Sequence, residues 1–164
     1  MIFATCGTSP MPFDRMMSAL AALPPAELIV QHGPSQAPRC AAAHPYLPFG
    51  EILDLMEQAD VVVSHAGVGS IMCALQTGRV PIVFPRLKRY SETVDDHQAE
   101  LGTALAERGT VLVASNAEEL ARAVQSLPPA TRRGAFPANG LRDAVHAAIH
   151  GASARGLRAY ALTR

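Results

Sequence analysis

The chain contains no tryptophan, only 5% aromatic residues and only 17% charged residues. Proteins that bind single-stranded nucleic acids interleave aromatic and basic side chains, so this composition argues against nucleic acid as a partner. No apolar run approaches the roughly 20 residues that a membrane-spanning helix needs. Apolar residues nevertheless make up 49% of the 164 residues, which excludes a disordered chain and predicts one domain with a substantial core.

Cysteine is also scarce, with three residues at widely separated positions, Cys6, Cys40 and Cys73. An odd number without the spacing of metal ligands predicts neither a disulfide framework nor a metal site. The amino-terminal residues enter a strand pattern directly, without the basic segment that begins a signal peptide. Together these absences predict a protein in a reducing, cytoplasmic setting. We expect it to use no cofactor.

Short apolar segments that alternate with amphipathic ones predict the fold. Segments apolar on both faces are typical of buried parallel strands, and their alternation with helices predicts a doubly wound, mainly parallel α/β sheet, the Rossmann-like arrangement. The predicted strands cover residues 2–5, 28–31, 61–64, 80–84 and 110–113, with a weaker one at 40–44. The predicted helices cover residues 13–23, 50–58, 68–77, 94–108, 116–127 and 141–149, and a capping-box pattern at 115–118 precedes the fifth.

The carboxyl-terminal part of the chain differs in charge. From residue 121 onward there are seven arginines and one acidic residue, Asp143, a net charge of +6. Such a tail suits docking to an anionic membrane surface or an acidic partner, and it equally suits a simply solvated end. We therefore expect one α/β domain over residues 1–127. Residues 128–164 should form a connector, a last helix and a basic tail that packs on that domain or extends from it.

The most informative stretch is the turn at residues 61–70, Val-Val-Val-Ser-His-Ala-Gly-Val-Gly-Ser. A buried strand ends there in a small-residue loop that begins a helix, so free N–H groups and the positive end of the helix dipole face one point. A phosphate or diphosphate suits that point. Ser64 and His65 add side-chain donors. A lone histidine is more often structural, but at this position His65 can stabilise charge that develops on a departing diphosphate.

Two more polar segments follow predicted strands and should meet this turn, because ligands of open α/β sheets bind at the carboxyl ends of the strands. One covers residues 7–9, Gly-Thr-Ser, and suits either a helix-capping turn or the second side of a diphosphate site. The other is the charged loop at 85–98, which suits sugar recognition or a solvated loop with an aspartate at the next helix cap. The first loop lacks the G-x-G-x-x-G pattern of dinucleotide-binding proteins, so NAD is disfavoured.

In order and spacing, these segments resemble the nucleotide-sugar-binding half of GT-B glycosyltransferases of the family 28 type. The shared pattern is a first strand followed by Gly-Thr at 7–8, then Ser-His-Ala-Gly at 64–67, then Pro-Arg at 85–86 and Asp-His-Gln at 96–98. The chain is more similar to single-half members of this group. These are the small cytosolic subunit of the dolichol-linked N-acetylglucosaminyltransferase and the small subunits of bacterial exopolysaccharide glycosyltransferase pairs.

This resemblance implies an inverting transferase that needs no metal and uses a UDP-sugar, such as UDP-glucuronate, UDP-galactose, UDP-glucose or UDP-N-acetylglucosamine. It implies that the glycine loop holds the diphosphate, that residues 48–49 contact the uracil and that residues 96–98 contact the donor sugar. The charges of Arg86, Lys88 and Arg89 suit pairing with a uronate carboxylate, and they equally suit a solvated or partner-facing patch. The catalytic candidate is His65. The implied donor-binding residues are Gly7, Thr8, Pro48, Phe49, Ser64, His65, Ala66, Gly67, Val68, Gly69, Ser70, Arg86, Asp96, His97 and Gln98.

Two departures from the family pattern affect the prediction. The family has a ribose-binding glutamate eight residues after the histidine, where this chain has Cys73, and a thiol is a poor hydrogen-bond partner for a diol. The chain also resembles only one half of a two-domain cleft. This implies a membrane-anchored partner subunit that supplies the base and the site for a lipid-diphosphate-linked sugar acceptor, in a heterodimer at the cytoplasmic face of the membrane. The alternative is a non-catalytic nucleotide-sugar-binding or scaffolding subunit with a degenerate ribose site.

Overall fold

The computed structural model of the protein describes residues 1–127, which form a six-stranded sheet in which all neighbouring strands are parallel. The strands are β1 (Ile2–Thr5), β2 (Leu28–Gln31), β3 (Ala42–His44), β4 (Val61–Ser64), β5 (Ile82–Val83) and β6 (Leu112–Val113). The helices are α1 (Asp14–Leu20), α2 (Phe49–Gln58), α3 (Val68–Gln76), α4 (His97–Ala106) and α5 (Ala117–Ser126). The predicted doubly wound α/β fold is confirmed. The predicted last helix at 141–149 and the basic tail lie outside the described residues.

The predicted and observed elements agree in order within this range and differ at their ends. Helix α4 begins at His97 rather than at residue 94. Asp95 and Asp96 accept hydrogen bonds from the backbone N–H groups of His97 and Lys88, which keeps the preceding residues out of the helix. Helix α1 ends at Leu20 rather than at residue 23, shortly before two prolines that disfavour helical backbone in the residues preceding them.

The cap of α5 lies one residue later than the predicted pattern. Asn116 is the N-cap residue, and its side-chain oxygen accepts a hydrogen bond from the N–H of Glu119 at 2.9 Å. The carboxylate of Glu119 accepts in turn from the N–H of Ser115 at 2.7 Å. Asparagine caps helices as well as serine does, so the sequence contained two overlapping patterns and the structure uses the second.

The strand order β3-β2-β1-β4-β5-β6 places the functional loops. The order of sheet growth reverses between β1 and β4, and Thr5 at the end of β1 lies level with Ser64 at the end of β4. The loops that follow these two strands therefore leave the same edge of the sheet side by side. Open α/β sheets bind their ligands in the crevice at such a reversal point.

Helices cover both faces of the sheet and bury one apolar cluster on the first face and two on the second. One face packs against α1 and α5, which contribute the fully buried Leu20 and Leu120. The other packs against α2, α3 and α4, which contribute Met56, Ile71 and Leu105. None of the helices within residues 1–127 is long and apolar enough to cross a membrane.

Candidate functional site

The amino-terminal end of α3 lies at the crevice, directly after the loop that follows β4. Gly67 is the N-cap residue with extended backbone (φ −83°, ψ 133°), and no side chain in the described part of the chain caps the helix. Val68 and Gly69 are exposed, and Ser70 is half-buried. The first N–H groups of a helix have no partner inside it, so these groups are available to an anion, which the helix dipole also favours.

The imidazole of His65 is enclosed by two glycines, one from each loop. A Cβ atom added to Gly7 would lie 2.7 Å from Nε2 and 2.9 Å from Nδ1 of His65, and one added to Gly67 would overlap Nε2. Gly7 also has a φ of +78°, which disfavours any residue with a side chain. The two glycines are therefore required by the packing of this ring, in addition to any ligand.

His65 is uncharged at neutral pH. Burial and the positive charge of Arg86 lower its pKa to about 4, against the opposing effect of a backbone hydrogen bond to Thr5. Its Nδ1 atom is buried and has no hydrogen-bond partner among residues 1–127. A neutral imidazole donates one N–H and accepts at its other nitrogen. Any stabilisation of a diphosphate by His65 therefore comes from a hydrogen bond and not from a positive charge.

The low pKa of His65 makes folding stability depend on pH. Unfolding returns its pKa to the ordinary 6.5, so between pH 6.5 and 4 the unfolded chain binds more protons and acidification favours unfolding. Between about pH 7.5 and about pH 5, His65 should remove about 2 kcal/mol of unfolding free energy. Urea denaturation at the two pH values measures this loss. The variant His65→Gln should show a loss smaller by that amount, and equal losses in both proteins would contradict the expectation.

Two of the groups predicted to donate to a ligand are engaged within the protein. The N–H of Gly7 donates to Oγ1 of Thr5 at 3.1 Å, and the hydroxyl of Ser64 donates to the carbonyl of His65 at 2.9 Å. The side chain of Ala66 is buried. Gly7 therefore contributes its lack of a side chain rather than an N–H group. Thr8, by contrast, is exposed.

Arg86 is buried, which corrects the prediction that it contacts a donor sugar. Its side chain is 1% exposed, and Nη1 donates to the carbonyls of Met11, Pro12 and Glu92 at 2.9, 3.3 and 3.0 Å. Nη2 donates to the carbonyl of Cys6 at 3.1 Å. The guanidinium therefore joins the loop after β1 to the loop after β5 and does not reach a carboxylate in solvent. A basic residue after a strand gives no sequence signal for such an inward orientation.

The Asp-His-Gln segment lies at the start of α4 with mixed accessibility. Asp96 and His97 are exposed, His97 by 80%, while Gln98 is half-buried. Oδ1 of Asp96 accepts from the N–H of Lys88 at 2.9 Å, and Oε1 of Gln98 accepts from the N–H of Arg86 at 3.2 Å. The second oxygen of Asp96 remains available for sugar hydroxyls, whereas the Gln98 carbonyl holds the loop. The His97 ring lies beside a carboxylate of its own helix, with Nδ1 3.4 Å from Oε2 of Glu100.

The residues at the predicted uracil and ribose positions differ in exposure. Pro48 is the N-cap residue of α2 and Phe49 its first residue, and Phe49 is 65% exposed although it is aromatic. Its exposed ring suits stacking on a base. Cys73, in the second turn of α3, is half-buried and packs against the apolar layer under α2. Burial raises the pKa of its thiol, so it stays protonated.

A buried ion pair between Arg15 of α1 and Glu92 was not predicted. The guanidinium of Arg15 donates to both oxygens of Glu92, at 3.0 and 2.8 Å, and to the carbonyl of Ser115 at 3.0 Å. Glu92 is 4% exposed and also accepts from the N–H of Leu87 at 2.9 Å. The pair holds the loop after β5 against α1. No local pattern predicts a contact between residues 77 positions apart.

A pocket lies beside this ion pair. It is open, has a volume of about 540 Å³ and is lined by Pro12, Asp14, Arg15, Tyr90, Ser91 and Glu92. Residues 1–127 contain no group of three or more histidine, cysteine, aspartate or glutamate side chains placed to hold a metal ion.

Comparison with curated proteins places the chain beside subunits of a sugar transferase. It is 42% identical over 71 residues to the UDP-N-acetylglucosamine transferase subunit ALG13 of Cryptococcus neoformans var. neoformans serotype D, across 43% of this chain and 34% of that protein. It is 34% identical over 65 residues to the protein of the same name from Yarrowia lipolytica, across 40% of this chain and 31% of that protein. The chain thus spans about a third of the length of these relatives.

Comparison with solved structures and with protein families agrees with the observed fold. The crystal structure of the glycotransferase of kitacinnamycin superposes with a TM-score of 0.54 at 21% identity, over 95% of this chain and 43% of that one. At this identity the likeness concerns the fold alone. Residues 1–138 match the glycosyltransferase family 28 C-terminal domain, which takes in every described strand and helix. Because this match covers most of the chain, the protein belongs to that family.

Proposed function

We propose that this protein is the donor-binding subunit of an inverting glycosyltransferase that takes its sugar from a UDP-sugar. One observation carries the proposal. The uncapped start of α3 and the glycine-enclosed imidazole of His65 lie together where the strand order reverses. These groups offer several hydrogen-bond donors to a diphosphate, and Gly67 and Gly69 leave space for it beside the backbone. The membership in a glycosyltransferase family supports the same assignment.

UDP-N-acetylglucosamine is the first donor to test. The fungal relatives are named as subunits of a UDP-N-acetylglucosamine transferase, which supports this sugar. Among the three cations proposed to pair with a uronate, Arg86 is buried, while Lys88 and Arg89 are exposed. The exposed carboxylate of Asp96 would repel a uronate in the same region. UDP-glucuronate is therefore the second donor to test.

A partner subunit should complete the site. The described residues form one side of a crevice, and the solved glycotransferase with the same fold is more than twice as long as the part matched here. The curated relatives are named as subunits. We infer that a membrane-anchored partner supplies the base and the acceptor site, and that the acceptor is a lipid-diphosphate-linked sugar of exopolysaccharide or similar biosynthesis. The complex would then act at the cytoplasmic face of the membrane.

Calorimetric titration of UDP into the protein and two matched glycine variants tests the donor site. A Cβ at Gly69 meets no described atom within 4 Å, so Gly69→Ala leaves the fold intact, yet it projects toward the start of α3, where the diphosphate is proposed to bind. We expect it to weaken UDP binding by about fivefold, because a methyl group that displaces the diphosphate from one N–H costs a hydrogen bond, about 1 kcal/mol.

The control is Gly102→Ala in α4, whose Cβ makes ordinary contacts at 3.5 Å with Pro85 and Val83. It makes the same exchange in the middle of α4, on the side that packs on the sheet, and should bind UDP like the original protein. Equal UDP affinity in all three proteins would contradict a diphosphate site at the start of α3.

Cys73 favours a second candidate, a non-catalytic nucleotide-sugar-binding or scaffolding subunit. Its half-buried, protonated thiol gives weak hydrogen bonds to a ribose diol. UDP binding without turnover in the complete complex would support this alternative. Turnover in that complex would exclude it, and a lack of uridine nucleotide binding by either the chain or the complex would exclude the transferase.

A further inference from the structure

The peptide unit between Cys6 and Gly7 is held at both of its polar groups by side chains. Its carbonyl, on Cys6, accepts a hydrogen bond from Nη2 of Arg86 at 3.1 Å. Its N–H, on Gly7, donates to Oγ1 of Thr5 at 3.1 Å. Because both contacts are buried, this peptide plane cannot rotate without leaving a buried polar group unpaired. A peptide next to glycine would otherwise be among the most mobile in the loop.

The hydroxyl of Thr5 is oriented in turn by Gln31. It donates to Oε1 of Gln31 at 2.5 Å, and both side chains are buried, with 2% and 0% exposure. The two residues are paired in register on β1 and β2, so their side chains lie on the same face of the sheet. A hydroxyl has a single proton, so donation to Gln31 turns its lone pairs toward the N–H of Gly7. The direction of the Gly7 N–H therefore depends on Gln31.

The other side of the same peptide unit is in contact with His65. The position of a Cβ on Gly7 would fall within 2.9 Å of the ring atom Nδ1, and a Cβ on Gly67 would overlap Nε2. The backbone N–H of His65 also donates to the carbonyl of Thr5 at 3.1 Å. The imidazole thus packs closely against both glycines, and a shift of the Cys6–Gly7 peptide would change its packing.

We propose that Thr5 and Gln31 are positioning residues, which fix the orientation of the His65 imidazole through the Cys6–Gly7 peptide. Neither residue has to touch a ligand for this role. A hydrogen bond from the oriented ring to a diphosphate rests on the function proposed above. The orientation itself does not depend on that function and can be measured without any ligand.

The test compares Thr5→Val, which keeps the shape of threonine and removes its hydroxyl, with Thr5→Ser, which keeps the hydroxyl. Neither variant changes a charge, so the effect of Arg86, the charged group that acts on His65, stays constant. The readout is the pKa of His65 from an NMR titration of its ring protons, about 4 in the original protein. Thr5→Val should raise this pKa by about one unit or more, because a released peptide admits water to the ring. Thr5→Ser should restore the low value.

An unchanged His65 pKa in folded Thr5→Val would overturn the proposal. Should that variant not fold, Gln31→Met serves instead, because it leaves the Thr5 hydroxyl in place and removes only the group that orients it. A smaller rise in the His65 pKa is expected there, and no rise would again overturn the proposal.

Titration of UDP into the same variants separates this proposal from the proposed function. If the original protein binds UDP, Thr5→Val should bind it about tenfold more weakly, and Thr5→Ser should bind it normally. If the original protein binds no UDP, the donor-site function fails, while the NMR result still decides whether Thr5 and Gln31 position His65.

Discussion

The variant Arg86→Met is expected to lose about 3–5 kcal/mol of unfolding free energy in urea denaturation. The guanidinium is 1% exposed and donates to four backbone carbonyls, those of Cys6, Met11, Pro12 and Glu92. Methionine fills much of the same volume but donates no hydrogen bond. The four carbonyls would lose their partner, and the loops after β1 and β5 would lose the side chain that joins them.

The control for this variant is Lys88→Met, which removes a positive charge from the same loop. Lys88 is exposed, so its replacement should change the unfolding free energy by less than about 0.5 kcal/mol. If Arg86→Met lost less than about 1 kcal/mol, the guanidinium would not hold the two loops together in the way the hydrogen bonds indicate.

The second large effect is expected on catalysis. In the complex with its partner subunit, His65→Ala should lower the turnover number by about 10²–10³-fold, as the removal of a single donor to a developing negative charge does in other enzymes. The donor in question is a neutral imidazole, because its pKa is about 4. Release of UDP in the presence of the donor and acceptor sugars measures the rate.

The comparison variant is His65→Gln, whose amide also provides a neutral N–H. If the imidazole acts by donating a hydrogen bond, glutamine should recover part of the rate that alanine loses. Turnover in His65→Ala equal to that of the original protein would remove the catalytic role. The rate of the original enzyme should also show no titration of His65 between about pH 5.5 and pH 8, because the ring is already neutral there.

Local sequence patterns were sufficient to predict the strands, the helices and the start of α3. Buried strands show as continuous apolar runs, and a glycine-rich turn between a strand and a helix is recognisable over ten residues. The predicted strands at 2–5, 28–31 and 61–64 coincide with β1, β2 and β4. The start of α4 was predicted three residues early. Asp95 and Asp96 accept hydrogen bonds from the backbone N–H groups of His97 and Lys88, and these bonds keep residues 94–96 out of the helix.

The sequence by itself determined the alternation of strands and helices, and with it the edge of the sheet where the loops at residues 7, 65 and 96 were predicted to meet. Only the tertiary structure decided which polar groups are left free at that edge and which form hydrogen bonds within the protein. From the sequence, Arg86 is expected to be an exposed loop residue. Its hydrogen bond to the carbonyl of Cys6, 80 positions away, holds the side chain inside the protein. From the sequence, the N–H of Gly7 is expected to be free. In the structure it donates to the Thr5 hydroxyl, which the pairing of β1 with β2 places beside Gln31. A polar side chain of a given type can either face a ligand or form hydrogen bonds inside the protein. Its partners elsewhere in the fold determine which of these it does.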